Sequence, residues 1–393
     1  MTEEVEGFRD RALVALLSIS VRLGEGLGVD ATIGLGSGIG RLWYALRLPR
    51  TSRVREQLAA AFPDEPDVRR RGWEREVFLH LGRGLAELLL LSGRHRPALL
   101  ERLEIDGLEH LERAVAESGG QGAIVIAPHL GNWELCAAKL ADLGVPVAAI
   151  YRGFKQPALE RAASRVRAGR PEFLPAAHEP LEQIAMGRRA GVRFVRALGA
   201  GRSVLVLLDQ RARRDEGLSV QFFGRPAHTR FGPVKLADRL GAPVLLAFTR
   251  RAPDGRRHRL TIEPPFPLEP GAAREERILQ RNLQAITARF EREIRSCPGQ
   301  WIWTHRRWRP PSAQRGPSGG GGSGGKTPVS AETSADSRRR PPACAPPGTH
   351  CSSVGTAATD PIALSSGLRS SGRLCDDPDS AAPQPRSRSC ETP

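Results

Sequence analysis

Gly122-Ala-Ile-Val-Ile-Ala127, continuing as Pro128-His-Leu-Gly-Asn-Trp-Glu134-Leu-Cys136, decides how this chain folds. The first six residues form an unbroken apolar run, the pattern of a short buried strand. Pro128 and Gly131 mark a turn, and Asn132 suits the cap of a helix opening at Trp133. His129 is therefore expected at a strand end, with Glu134 in the first turn of the next helix. An imidazole oriented by a carboxylate is the arrangement of a general base that activates a hydroxyl for acyl transfer. There is no Gly-x-Ser-x-Gly elbow and no well-placed cysteine nucleophile, so the hydroxyl is assigned to a substrate. The H-x4-E spacing equally suits a turn histidine beside a carboxylate that stabilises a helix N-terminus.

The surrounding chain places this unit in a larger alternation. Residues 51–62 and Arg69–Leu91 read as helices, 103–108 as a strand and turn, and Leu108–Glu117 as a helix closed by Gly119-Gly120. Beyond the central unit, strands are expected at 147–152, 173–174, 203–208, 244–249 and 259–262. Helices are expected at 158–169, 181–198 (broken near Gly191), 231–240 and 274–296. Repeated strand–helix units predict an α/β fold with a mixed, mostly parallel sheet flanked by helices. Loops at the carboxyl ends of such strands carry the site, and His129, Arg152 and Asp209 each fall at one of those ends.

The 393 residues carry a formal charge of +16. From 311 onward the chain is rich in Ser, Pro, Gly, Ala and Arg, has no aromatic residue and includes Gly319-Gly-Gly-Gly-Ser-Gly-Gly325. That composition predicts a disordered tail over 311–393. The tail holds 9 Lys/Arg and 7 Asp/Glu, which leaves +14 on residues 1–310. Such a surface seeks phosphates, on nucleic acid or on anionic lipid. Four of the six cysteines lie in the tail, and Cys136 and Cys297 stand isolated. No disulfide or zinc spacing appears, which suits a reducing cytosolic setting. The acidic start Met1-Thr-Glu-Glu-Val-Glu6 argues against a cleaved signal peptide. The apolar runs at 12–21 and 31–40 are broken by Arg22 and Arg41, short of the roughly 18 residues of a spanning helix. Residues 1–50 therefore read as a helical, membrane-interacting region of interfacial type or as amphipathic helices packed on the core. Residues 51–310 would form the catalytic domain.

Six segments in order then resemble one family: His129-Leu-Gly-Asn-Trp-Glu134, Tyr151-Arg152, Asp209-Gln210, Phe222-Phe223-Gly224, Pro243 and Trp301-Ile-Trp-Thr-His-Arg-Arg-Trp308. They look like the bacterial lipid A biosynthesis acyltransferases, the late lauroyl/myristoyl enzymes, within the wider H-x4-D/E glycerolipid acyltransferase group. The resemblance covers about residues 5–310. It implies transfer of a fatty-acyl chain from an acyl carrier protein or coenzyme A thioester to a hydroxyl of a lipid A precursor. It also implies a place on the cytoplasmic face of the bacterial inner membrane, with no cofactor or metal beyond the acyl donor. In that scheme His129 is the base, Glu134 holds its other ring nitrogen, and Arg152 meets an oxyanion or a substrate phosphate, or else forms a buried salt bridge at the strand end with Asp209. Asp209 orients Arg152 or a loop amide, with Gln210 beside it at the substrate. Phe223 and Gly224 suit an acyl groove or ordinary core packing. Trp301, Trp303 and Trp308 suit a membrane-facing rim or a carboxy-terminal strand packed on the sheet. His178, His228 and His258 have no carboxylate at useful spacing and are expected on the surface or in loops.

The chain departs from the family pattern in its poor amino-terminal anchor and in Gly153-Phe-Lys-Gln-Pro157, which stands where an asparagine-rich stretch is usual. The second departure bears on the acceptor. Phosphatidylinositol mannosides, ornithine- or glycine-headed lipids and lysophospholipids are alternative acceptors within the same class. A nucleic-acid-binding protein is the non-enzymatic alternative, but no recognised nucleic-acid module accompanies the charge. A metal hydrolase lacks a third ligand at sensible spacing.

Overall fold

A computed structural model describes residues 8–308, apart from Lys155 and Arg214. The tail expected from 311 lies outside these residues. Helices α1 (Phe8–Leu27), α2 (Val29–Ala45), α3 (Thr51–Ala61), α4 (Asp67–Leu90) and the short α5 (Arg96–Leu100) come first. Then follow β1 (Leu103–Asp106), α6 (Leu108–Glu117), β2 (Ile124–Ala127), α7 (Trp133–Asp142), β3 (Val147–Tyr151), α8 (Pro157–Ala168), β4 (Glu182–Ala185), α9 (Ala190–Gly199) and β5 (Ser203–Leu207). The last elements are β6 (Gly217–Phe222), β7 (Arg225–Arg230), α10 (Gly232–Leu240), β8 (Val244–Arg251), β9 (His258–Ile262) and α11 (Glu276–Ser296).

Seven strands form one sheet in the order β1-β9-β8-β2-β5-β3-β4. Every neighbouring pair is parallel except β8 with β9. This is the mixed, mostly parallel sheet that the alternation predicts. Both faces are covered. Ile124 and Ile126 join a core with α3, α9, α10 and α11, while Val125 joins a second core with α6 and α7. A central parallel strand buried on both sides needs the continuous apolar run seen at 122–127.

Two local expectations fail, and one hairpin was not foreseen. Residues 173–174 are not a strand; Pro171–Phe173 is a single 3-10 turn. Leu181–Leu198 is not one broken helix, because β4 pairs with β3 before α9 begins. The hairpin β6–β7 was not expected at all. Its two-residue turn is Phe223-Gly224, with φ of 52° and 67°. Phenylalanine is an unusual residue for the first of two positive-φ positions, where Asn or Gly is usual.

The amino-terminal pair is fastened to the domain by backbone contact. A Cβ on Gly82 of α4 would lie 2.1 Å from the carbonyl oxygen of Gly36 in α2. One on Gly40 would lie 2.2 Å from that of Phe78. Gly36 and Gly40 of α2, facing Gly82 and Phe78 of α4, thus let two helices approach more closely than a side chain at these positions allows.

A buried polar network runs from α4 to the turn after β2. The fully buried Glu87 carboxylate accepts from both Nη atoms of Arg251, from His258 Nε2 at 2.9 Å and from Asn132 Nδ2 at 2.7 Å. Arg251 Nε donates to His80 Nδ1 at 3.3 Å, and His80 Nε2 donates to the Gly131 carbonyl at 2.9 Å. His258 is therefore not a surface residue, as expected from the sequence, but one of the charge's buried partners. His178 is likewise paired, with Asp142 at 2.8 Å. Removing one partner of such a buried pair leaves an uncompensated charge and costs about 3–5 kcal/mol.

Burial lowers the His80 imidazole from its ordinary 6.5 to about 3, and Arg251 adds to the effect. Burial alone would raise Glu87, but the bonds and charges of His258 and Arg251 prevail and hold it below the usual carboxylate range. Both groups bind protons more readily in the unfolded chain. The His80 contribution is thus complete above about 6.5, the ordinary histidine value, and is lost as pH falls toward about 3, whereas that of Glu87 persists to lower pH, because its carboxyl is held below the usual range. Urea titrations should show that decline, and His80→Gln should make it shallower; equal slopes in the two proteins would contradict a buried neutral His80. Gly82→Ala should destabilise by about 1–3 kcal/mol through overpacking. Gly72→Ala, on the exposed side of α4 with open space around it, should instead stabilise by up to about 1 kcal/mol. A neutral or stabilising Gly82→Ala would rule out the backbone contact.

Candidate active site

The parallel pairing of β2 with β5 sets the geometry. Ala127 is level with Leu207, so His129 and Asp209, each two residues further on, emerge side by side at the carboxyl ends. His129 Nδ1 meets Asp209 Oδ1 at 2.5 Å, and the His129 backbone N–H donates to Oδ2 at 2.7 Å. The Trp301 indole N–H donates to the same Oδ2 at 2.6 Å. Asp209 is 2% exposed. Burial would raise its pKa, but the charge and hydrogen bonds of His129 and the Trp301 indole outweigh it, so the carboxyl stays below its ordinary range. An ionised Asp209 fixes the proton on Nδ1 and leaves Nε2 with a lone pair. The Gln210 amide nitrogen lies 3.0 Å from Nε2 and donates to it. The ring also packs edge-on against Trp133, with centroids 4.8 Å apart.

The loop that carries His129 is tightly specified. Gly131 has φ of 59°, and a Cβ there would lie 1.9 Å from the Thr249 carbonyl oxygen of β8. Only glycine meets both conditions. Its N–H donates to the Gln300 carbonyl at 3.1 Å, and Ile302 N–H donates to the His129 carbonyl at 3.2 Å. Asn132 caps α7 as expected, accepting from Glu134 N at 3.3 Å, while its amide nitrogen is held by Glu87.

Glu134 does not hold the imidazole. Its carboxylate pairs with Arg167 Nε at 3.1 Å, and no hydrogen bond joins it to His129. The reason is geometric: a carboxylate in the first turn of α7 faces α8, whereas the strand register brings Asp209 to the ring. Asp209 binds a loop amide as expected, that of His129, but makes no contact with Arg152. Arg152 is exposed at the end of β3 and has no hydrogen-bonded or ionic partner among the described residues. Beside it, the Tyr151 hydroxyl donates to Glu160, and Arg167 lies 5.0 Å from the Tyr151 ring centroid.

The aromatic residues have the packing role. Phe223 is buried against Phe62, Phe222, Trp303 and Trp308, with the Arg295 guanidinium over its ring at 4.5 Å. Gly224 completes the hairpin turn. Trp301, Trp303 and Trp308 are buried too, so they form no membrane-facing rim. Nor do they form a strand; a single bridge joins Trp301 to Leu130. Buried Gln57 of α3 holds this segment by bonding to the Trp303 and His305 carbonyls and to the Arg307 N–H. Asp209 as the ring partner, Trp301 as its donor and Glu87 as the loop anchor are the site residues that sequence spacing missed.

A base paired with a buried carboxylate, its second ring nitrogen left with a lone pair beside the Gln210 amide, suits proton removal from a substrate hydroxyl. The family description "Bacterial lipid A biosynthesis acyltransferase" matches residues 11–310. The chain is 26% identical over 276 residues to the lipid A biosynthesis palmitoleoyltransferase of Escherichia coli (strain K12), covering 70% of this chain and 84% of that one. It is 24% identical over 278 residues to the lipid A biosynthesis lauroyltransferase of the same organism, with the same coverage of 70% and 84%. It is also 27% identical over 239 residues to the phosphatidylinositol mannoside acyltransferase of Mycobacterium tuberculosis (strain ATCC 25618 / H37Rv), covering 61% and 67%. The chain belongs to the bacterial lipid A biosynthesis acyltransferase family, and its activity is the transfer of acyl groups to lipid acceptors.

Proposed function

We propose that the chain moves a fatty-acyl group from an acyl carrier protein or coenzyme A thioester to a hydroxyl of a lipid A precursor, with His129 as base and Asp209 as its partner. The observation that carries this reading is the hydrogen-bonded run Asp209–His129–Gln210 at adjacent strand ends. The acceptor hydroxyl takes the place of the Gln210 amide at Nε2 and gives up its proton there. Its oxygen attacks the thioester carbonyl, and a tetrahedral oxyanion forms. When the C–S bond breaks, the imidazolium returns its proton to the departing sulfur. The buried Asp209 stabilises the transient imidazolium. Arg152, exposed and unpaired among the described residues, meets negative charge on the oxyanion or on a substrate phosphate. A mannoside acceptor is the second reading, favoured by the similarity to the mycobacterial enzyme.

The reaction takes place at a membrane surface in this proposal. No helix among the described residues is long and apolar enough to cross a membrane. Leu16, Ile19, Leu23 and Leu27 of α1, and Leu35, Ile39, Leu42 and Leu46 along α2, are nonetheless 49% to 60% exposed. Their spacing of three or four residues makes an apolar stripe on each helix, the pattern of an interfacial anchor. The +14 charge of residues 1–310 adds attraction to anionic headgroups.

His129→Ala should lower acyl transfer by about two to four orders of magnitude while the protein stays folded. Asp209→Asn should approach that loss, because the wrong tautomer is then favoured, and Glu134→Gln should retain more activity than either. A Glu134 variant as inactive as His129→Ala, beside a competent Asp209→Asn, would overturn the assignment. Binding to anionic vesicles should weaken as salt rises. It should also fall about tenfold or more in an Ile39→Glu, Leu42→Glu double variant, which removes two apolar contacts with lipid. Unchanged vesicle binding in that variant would remove α2 from the interface.

A further inference from the structure

A second feature lies beside the catalytic strand ends and is not used by the mechanism above. A cavity of about 200 Å³ is lined by Arg211, Arg225, Pro226, His228, Arg307 and Trp308. Arg211 is two residues past Asp209, and its backbone bridges to Thr229 of β7, which sets it over the hairpin. No carboxylate lines the cavity. Arg211 and Arg225 have no ion pair among the described residues; Arg225 only lies 5.5 Å from the Trp308 ring centroid.

Arg307 is the built part of the site. It is 2% exposed, its Nη1 donates to the His228 carbonyl at 2.8 Å, and its Nη2 donates to Thr229 Oγ1 at 2.6 Å. Its Nε nonetheless has no partner among the described residues, nor have His228 Nδ1 and Trp308 Nε1, although all three atoms are buried. Burial lowers the Arg307 pKa to about 10 against the pull of Asp209, so the group is still a cation at neutral pH. Buried N–H groups are ordinarily paired, and two unpaired N–H donors beside one cavity, Arg307 Nε and Trp308 Nε1, call for an acceptor. Clustered guanidinium donors with no counter-charge match the planar, multidentate recognition of phosphate.

We propose that this cavity binds a phosphate group, held by Arg211, Arg225 and Arg307 with the Trp308 indole. That a substrate supplies the phosphate rests on the acyl-transfer reading; the anion site rests on the side chains alone. The same chemistry has two sources in that reading: the phosphates of the coenzyme A or phosphopantetheine donor, and a phosphorylated lipid headgroup.

Calorimetric titration of the full chain with inorganic phosphate and pyrophosphate, at constant ionic strength in chloride, tests the site without reference to turnover. Saturable one-site binding is expected. It should weaken about tenfold in Arg211→Gln and in Arg225→Gln and be lost in the double variant, with melting temperatures unchanged. Arg188→Gln, an exposed arginine outside the cavity, should bind like the parent. Displacement of pyrophosphate by coenzyme A would identify the donor as the source, and displacement by dihexanoyl phosphatidic acid the acceptor. Absence of saturable binding, parent-like binding in the double variant, or equal weakening in Arg188→Gln would each overturn the proposal. Phosphate binding in a protein that transfers no acyl group would instead refute only the catalytic reading.

Discussion

Everything near the site turns on one buried carboxylate. Asp209 leaves β5 with almost no access to water, and an anion there is tolerable only if its lone pairs are met. They are met by the His129 backbone, the His129 ring and the Trp301 indole. Those donors belong to the end of β2 and to the segment after α11, so one charge ties together three stretches far apart in sequence. The same bonds select the imidazole tautomer that leaves Nε2 free to accept a proton. Structural satisfaction of the charge and chemical readiness of the base are thus a single arrangement.

A second buried anion, Glu87, completes the definition of the loop. It reaches Asn132 directly and Gly131 through Arg251 and His80. Residues 128–132 are therefore held at His129 by Asp209 and at their far end by Glu87. The loop has little freedom to tilt the ring, which is what a base needs if it is to meet a hydroxyl in one orientation.

The sequence showed the central unit well because its signals are local. An apolar run between Gly and Pro, then Asn before a helical pattern, specifies β2, the turn and α7 with few alternatives. The same locality misled at Glu134, the nearest carboxylate along the chain, when the ring partner is 80 residues away and is chosen by strand register. That His129 and Asp209 both end strands was legible; that they end neighbouring strands, level with one another, was not. The tryptophans after Pro298 misled for a related reason. Trp and Arg interleaved resemble an interfacial rim, but buried Gln57, from α3, holds the segment inward and their rings fill the core. The β6–β7 hairpin escaped because its turn places phenylalanine at positive φ, and β4 because four residues with one buried side chain give no clear period.

Whether Asp209, rather than Glu134, governs the His129 ring is best tested by observing the ring protons directly. In protein carrying nitrogen-15 histidine, the account predicts a His129 ring protonated at Nδ1, with a strongly downfield proton resonance from the short bond to Asp209. That resonance should vanish in Asp209→Asn and persist in Glu134→Gln. Its persistence in Asp209→Asn, with loss in Glu134→Gln, would contradict the account.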